Sequence, residues 1–332
     1  MKSNTGVRSL NDMSKPPYRL NDVEIVKHRP PKNNVTPDRP YAHLVEQERA
    51  ANGQIVDVAT LFLTNRECPF RCLMCDLWKN TTDTSIPVGS IPQQIDFALS
   101  ELPPAKHLKL YNSGNFFDAQ AIARDDFTHI AQRAQAFDHV IVENHPRLCN
   151  RVCSQFREQL GNTTLEIALG LETIDPAVLP LLNKQMTLDD FARGVETLLA
   201  ADIVVRTFIL LKAPFQNETQ GVEWAIRSIE YALGLGAGCC AVIPTRAGNG
   251  IMEKLQADGY FSQPTLSSLE IVMDEGLKLA EGRGRVFVDL WDLEQFAVCP
   301  LCVRSRRDRL SQMNLNQRIL PQVSCSCREL IL

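Results

Sequence analysis

The 332 residues are 44% apolar and 22% charged, and 39 acidic side chains against 35 Lys and Arg leave a net charge of -4. That is ordinary globular composition, and it excludes a chain that is basic throughout, as a general nucleic-acid coat would be. No run approaches the roughly 18 apolar residues of a membrane span. With no apolar secretory leader, the eleven cysteines point to a cytoplasmic protein, where thiols stay reduced and clustered cysteines bind metal or take part in catalysis.

Residues 1–40 are polar and punctuated by proline (KPPYRL, HRPPKNNVTPDRP), which reads as a flexible N-terminal arm. From about residue 55 short apolar runs alternate with helical periods. The strands expected are VDVATLFLTN, LKLYN at 108–112, HVIVEN at 139–144, LEIALGLE at 165–172, IVVRTFILL at 203–211 and GCCAVIP at 238–244, with RVFVDLW at 285–291 as one more. Thr187 opens a helix with Leu188, Phe191, Val195 and Leu198 on one face, and Asn217 precedes another. A later one starts near Pro264, with Ser267 and Glu270 at capping-box spacing. Strand followed by helix, repeated, is the signature of a parallel sheet covered on both faces. Six such units are too few for a closed eight-unit barrel. The expectation is an α/β fold, a partial (β/α)6 TIM-like open barrel over 41–290, with a small Cys-rich C-terminal extension over 291–332.

The first strand runs into ECPFRCLMCDLWKN, which holds Cys68, Cys72 and Cys75 at C-x3-C-x2-C spacing. Three thiolates are one short of a structural zinc site and the wrong number for paired disulfides. A four-iron cluster normally takes four cysteines, so three leave one iron open. The loop also follows a strand at the carboxyl edge of the sheet, where ligands bind in such folds.

On this motif and place the chain resembles the radical SAM superfamily. SGNFFD (113–118), ENHPR (143–147) and the G-x-E of IALGLET (167–173) are similar to turns of the subgroup that contains the Elongator catalytic subunit and the radical SAM enzyme of archaeosine biosynthesis. The resemblance implies a 4Fe-4S cluster on Cys68, Cys72 and Cys75, with S-adenosyl-L-methionine (SAM) on the fourth iron. A low-potential electron donor would reduce the cluster, and SAM cleavage would give a 5′-deoxyadenosyl radical. It also implies cofactor contacts from Ser113, Gly114 and Asn115, which would hold the methionine end. Glu143 would face the ribose or the substrate, Glu172 ends a strand, and Arg206 would bind the methionine carboxylate. Trp78 would cover the adenine. Ordinary turns and surface ion pairs are the alternative uses of these residues.

In the tail, Cys299 and Cys302 with Cys325 and Cys327 can hold structural zinc or an auxiliary iron–sulfur cluster. Between them lie Arg304, Arg306, Arg307 and Arg309, suited to a phosphate backbone or simply to a solvated helix face. The resemblance makes a tRNA base the first choice of substrate and a small metabolite or peptide the second. A zinc-stabilised nucleic-acid-binding protein with a degenerate barrel is the reading from a different class.

Overall fold

A computed structural model describes residues 20–327. Eight strands form one sheet in simple chain order: β1 (Ala42–Arg49), β2 (Ile55–Phe62), β3 (His107–Tyr111), β4 (His139–Asn144), β5 (Thr164–Glu172), β6 (Val204–Leu211), β7 (Cys239–Pro244) and β8 (Arg285–Val288). From β2 to β8 every pairing is parallel, and β1 runs antiparallel to β2. The crossovers are α2 (Ser90–Glu101), α3 (Asp126–Ala134), α4 (Arg151–Gln159), α5 (Leu188–Leu199), α6 (Glu218–Gly234) and, after the short α7 (Ile251–Ala257), α8 (Leu266–Ala280). This is the expected open half-barrel of six β/α units, flanked by β1 at one edge and β8 at the other.

The core lies between the outward face of the sheet and the helices. On α5, Phe191, Val195 and Leu198 are buried against Leu169, Val205 and their neighbours, and each such side chain removed from water contributes about 1.5–3 kcal/mol. Thr187 and Asp190 form a reciprocal capping box at the start of α5, and Asn217 and Gln220 do the same for α6. At α8 the cap is Thr265, whose hydroxyl accepts from the Ser268 N–H, rather than Ser267 paired with Glu270. Glu270 is drawn inward instead by Arg306, 2.7 Å away.

β1 escapes the sequence reading because its inward face is charged. Glu46 and Glu48 point at Lys109 on β3 (2.8 and 2.6 Å), and Glu48 also meets Arg206 on β6 at 2.6 Å. Strand alternation is therefore present without an apolar period to reveal it.

The last helix, α9 (Val303–Asn316), covers the free edge of β8. Asn314 exchanges hydrogen bonds with the Val288 backbone, and Gln317 does so with Val286, all at 2.8–3.0 Å. Side-chain amides thus take the place of a ninth strand along this edge. Of the segment read as a flexible arm, residues 1–19 lie outside the described residues. Residues 20–40 are docked: α1 (Asp22–Lys27) packs Ile25 inward, Arg29 meets Glu67 at 2.6 Å, and the Asn33 N–H reaches the Lys79 carbonyl.

Candidate functional site

β2 delivers the chain to the carboxyl edge of the sheet, and the cysteine loop is tied down there by elements far away in sequence. Asn249, after β7, donates to the carbonyls of Leu73 (2.8 Å) and Cys75 (3.0 Å). Asn183 donates to the Arg71 carbonyl, and the Leu73 N–H bonds the Leu182 carbonyl. Phe70 stacks on His145 at 3.8 Å, and His145 in turn contacts the Lys184 carbonyl. Trp78 is buried, with its indole N–H on the Cys75 carbonyl and the Arg29 guanidinium over its ring. It braces the loop from beneath and does not offer the free face expected for adenine. Asn249 was missed in the sequence, where only the glycine-bounded turn RAGNG marks it.

The turn after β3 lies directly against the first cysteine. Asn115 donates to Cys68 Sγ at 3.1 Å. A Cβ placed on Gly114 would come within 3.2 Å of the Cys68 Cβ, so glycine permits this approach. Ser113 adopts a left-handed φ of 53° and shares a hydrogen bond with Tyr41. The structure thus gathers Ser113, Gly114 and Asn115 beside Cys68. Asp118 closes this turn by accepting from the Gln120 N–H, and α3 begins only at Asp126.

Glu143, at the end of β4, explains the shape of this turn. Its Oε1 accepts from the backbone N–H groups of Asn112 (2.8 Å) and Gly114 (3.1 Å). That oxygen is therefore engaged by the turn rather than by a ribose. Burial pushes its pKa up to about 7. A raised acid binds its proton more tightly in the native state, so this contribution falls as pH climbs from the ordinary value toward 7. Glu143→Ala should leave both donors unpaired at about 1–3 kcal/mol each. Glu143→Gln keeps the acceptor, so it should melt close to the native protein and lack that pH slope; thermal unfolding of the two variants checks this.

Glu172 and Lys184 form a buried pair at 2.7 Å behind the cysteines. Glu172 sits at a register shift of β5 with φ of 66°. A Cβ on Gly170 would collide with both charged groups, so glycine makes room for the pair. Burial opposes the Lys184 charge, but Glu172 and the sulfurs of Cys72 and Cys68 outweigh it and hold the ammonium protonated.

Arg206 does not join the site. It lies near the amino-terminal end of β6, buried among Glu48 and Glu166, two residues below Phe208 and far down the strand from the cysteine edge. The arginines of the tail divide in a similar way. Arg306 and Arg309 are buried and pair with Glu270 and Asp274 of α8, which removes them from any phosphate-binding role. Arg307 is exposed and pairs with Glu294. Cys239 and Cys240 are fully buried within β7, and Cys153 is buried on α4.

Two cysteine groups remain. Among the described residues, the group whose ligand atoms gather within 4.8 Å of one another is Cys299, Cys302, Cys325 and Cys327. Cys299 lies 3.8 Å from Cys325, and Cys302 lies 3.6 Å from Cys327, sulfur to sulfur. A tetrahedron with Zn–S bonds of about 2.3 Å has an edge of about 3.8 Å, so this set fits a single ion. The donor chemistry of Cys68, Cys72 and Cys75 fits a cationic cluster. Burial pushes their thiols up to about 11, 11 and 12, so a bound metal would have to displace their protons. The Lys184 ammonium and the Asn115 N–H are placed to share the resulting sulfur charge.

No family model matches the chain. It is 26% identical over 278 residues to archaeosine synthase subunit beta of Methanosarcina acetivorans, covering 78% of each chain. With MJ0550 of Methanocaldococcus jannaschii it shares 21% over 316 residues, 88% of this chain and 86% of the other. Methanocaldococcus infernus Elp3 superposes with a TM-score of 0.51 at 13% identity, over 78% of this chain and 63% of that chain. Methylornithine synthase (PylB) also gives 0.51 at 13%, over 74% and 68%. This chain therefore spans less than two thirds of the Elp3 chain it matches. Sheet order, cysteine loop and these likenesses together give the chain the fold of the radical SAM enzymes, with a sequence that resembles archaeosine synthase subunit beta.

Proposed function

We propose that the protein is a radical SAM enzyme that modifies a tRNA base. One observation carries the reading: three half-buried thiols share one loop at the carboxyl edge of a half-barrel, with a lysine ammonium close by and an amide N–H on the first sulfur. Cys68, Cys72 and Cys75 would hold a 4Fe-4S cluster with one iron left for SAM. When bound, that group supplies one low-potential electron to the sulfonium of SAM. The chain's own residues orient and enclose. Glu143 fixes the 112–114 turn, Ser113 to Asn115 present the methionine end with backbone and amide groups, and the Glu172–Lys184 pair sets the charge behind the sulfurs.

The tail cysteines would hold zinc, on the spacing above. The tRNA assignment is supported by the likeness to archaeosine synthase subunit beta, a name that also implies a companion subunit for this chain. The cluster calls for a low-potential electron donor, and its free thiols suit the reducing cytoplasm.

The test is anaerobic reconstitution, followed by SAM, dithionite and bulk archaeal tRNA. The expected result is 5′-deoxyadenosine whose yield rises with tRNA, together with a mass change on one nucleoside of that tRNA. A rise with a small metabolite or peptide in place of tRNA would move the substrate and leave the enzyme class standing. No 5′-deoxyadenosine under any of these conditions overturns the class.

A further inference from the structure

Rings from strands that are not neighbours meet inside the half-barrel. Tyr111 ends β3 and Phe208 lies on β6, with β4 and β5 between them, yet their centroids are 6.2 Å apart and their planes 77° apart. Side chains three strands apart touch in this way only when both point into the concave side. Phe62, which pairs with Tyr111 in register at the end of β2, adds a ring 6.2 Å from Tyr111 and 6.4 Å from the exposed Trp291. On β5, between them, the inward residue Ala168 is small, and the Glu172–Lys184 pair takes the space at Gly170, which stands in register with Phe208.

Burial follows the same division. Leu61, Leu110, Thr207 and Ile209 point outward and are fully buried, whereas the inward Phe62, Tyr111 and Phe208 keep part of their surface open. Two residues below Tyr111 and Phe208 lie Lys109 and Arg206, both consumed by buried carboxylates. The rings therefore form a layer between the charged plug and the carboxyl edge that bears the cysteines. Tyr41 ties this layer to the site, with its ring 5.6 Å from Phe62 and its hydroxyl on Ser113.

We infer that Phe62, Tyr111 and Phe208 are the floor on which a planar heterocycle of the substrate, a nucleobase, stacks, with Tyr111 and Phe208 setting that preference. The inference rests on the function proposed above and names the residues that would hold its substrate. An aromatic surface left open in a protein interior is matched by another π-face, and every nucleobase has one whatever its sequence. Tyr111 and Phe208 meet edge to face and both keep part of their surface open, which allows a base to approach a ring.

The probe is 2-aminopurine riboside, titrated anaerobically into the reconstituted protein, with an RNA hairpin carrying 2-aminopurine in its loop as the second arm. Stacking should change the probe's emission saturably. Tyr111→Leu and Phe208→Leu should each weaken binding about tenfold, and Phe208→Tyr, which keeps a ring, should restore it. Binding of both probes, or of the hairpin alone, supports the floor and separates a free base from one in a strand. No saturable change in either arm, or leucine variants that bind like the native protein, overturns it. Iron content and thermal unfolding on the same samples separate loss of the floor from loss of the fold, and Phe62→Leu serves if either leucine variant fails to accumulate. Formation of 5′-deoxyadenosine by the native protein is measured independently, so absent chemistry and an absent floor are told apart.

Discussion

Alanine at Cys68, Cys72 or Cys75 is expected to remove the iron chromophore and reduce 5′-deoxyadenosine formation to background, while zinc stays bound. The physical reason is charge. The surroundings of each thiol raise its pKa well above neutral, so a bound metal would have to displace each proton. Loss of one leaves two thiolates, too few to hold a cluster that already keeps one iron open. The converse pair, Cys299→Ser with Cys325→Ser, should lose zinc and keep iron. Because Cys302 is the residue from which α9 starts, zinc loss should also loosen that helix and raise hydrogen exchange at Val286 and Val288, whose backbone groups it covers. Metal analysis, visible absorbance and exchange on the two sets of variants check this. Iron retained by the alanine variants, or zinc lost from them, would contradict the assignment of metals to the two cysteine groups.

How much of this was legible in the sequence depended on what each segment faces. β5 could be read because its outward Leu165, Ile167, Leu169 and Leu171 are apolar and only Ala168 and Gly170 stand between the last three of them, so IALGL looks like a buried strand although Glu166 turns inward. β1 could not, because Glu46 and Glu48 turn inward to charges on β3 and β6 that only the closed sheet brings near. The cysteine triad and the tail four stand at telling spacings and need no tertiary information. Partners from distant loops are different. The turn RAGNG marks Asn249 only as a loop residue, and neither it nor Lys184 carries a local sign of the group it meets, the Cys75 carbonyl and Cys72. The tail arginines misled for the same reason: an RSRRDR run looks like a solvated face, and the acids of α8 that bury Arg306 and Arg309 lie some 35 residues earlier.

Arg206→Met should be among the most destabilising single changes, at about 3–5 kcal/mol, because it breaks a buried ion network by removing one side only. The guanidinium bridges Glu166 of β5 and Glu48 of β1, with Glu48 at 2.6 and 3.2 Å, and so ties strands at opposite sides of the half-barrel. Burial alone would raise both carboxyl groups, yet Arg206, with Lys109, His139 and Arg285 as lesser partners, holds them well below their ordinary range. Acids depressed in this way stabilise the native state above their ordinary value, near 4.5, and that contribution is lost as pH falls through the folded one. The gap between native protein and variant should therefore be full at pH 7 and narrow in mild acid, where the abandoned carboxylates of the variant take up protons. Arg206→Lys should recover little, since one ammonium cannot serve both acids with the geometry of the fork. Arg206→Met combined with Glu166→Gln should recover part of the loss by removing one of the stranded charges. Denaturant unfolding of these variants at pH 7 and pH 5 measures the set. Additive losses in the double variant, or a gap unchanged by pH, would mean that the plug holds the sheet by packing alone. That result would leave the charged layer beneath the aromatic rings without the role its geometry assigns it, since a domain of ordinary stability holds only about 5–15 kcal/mol in total and could not otherwise carry so many buried ions.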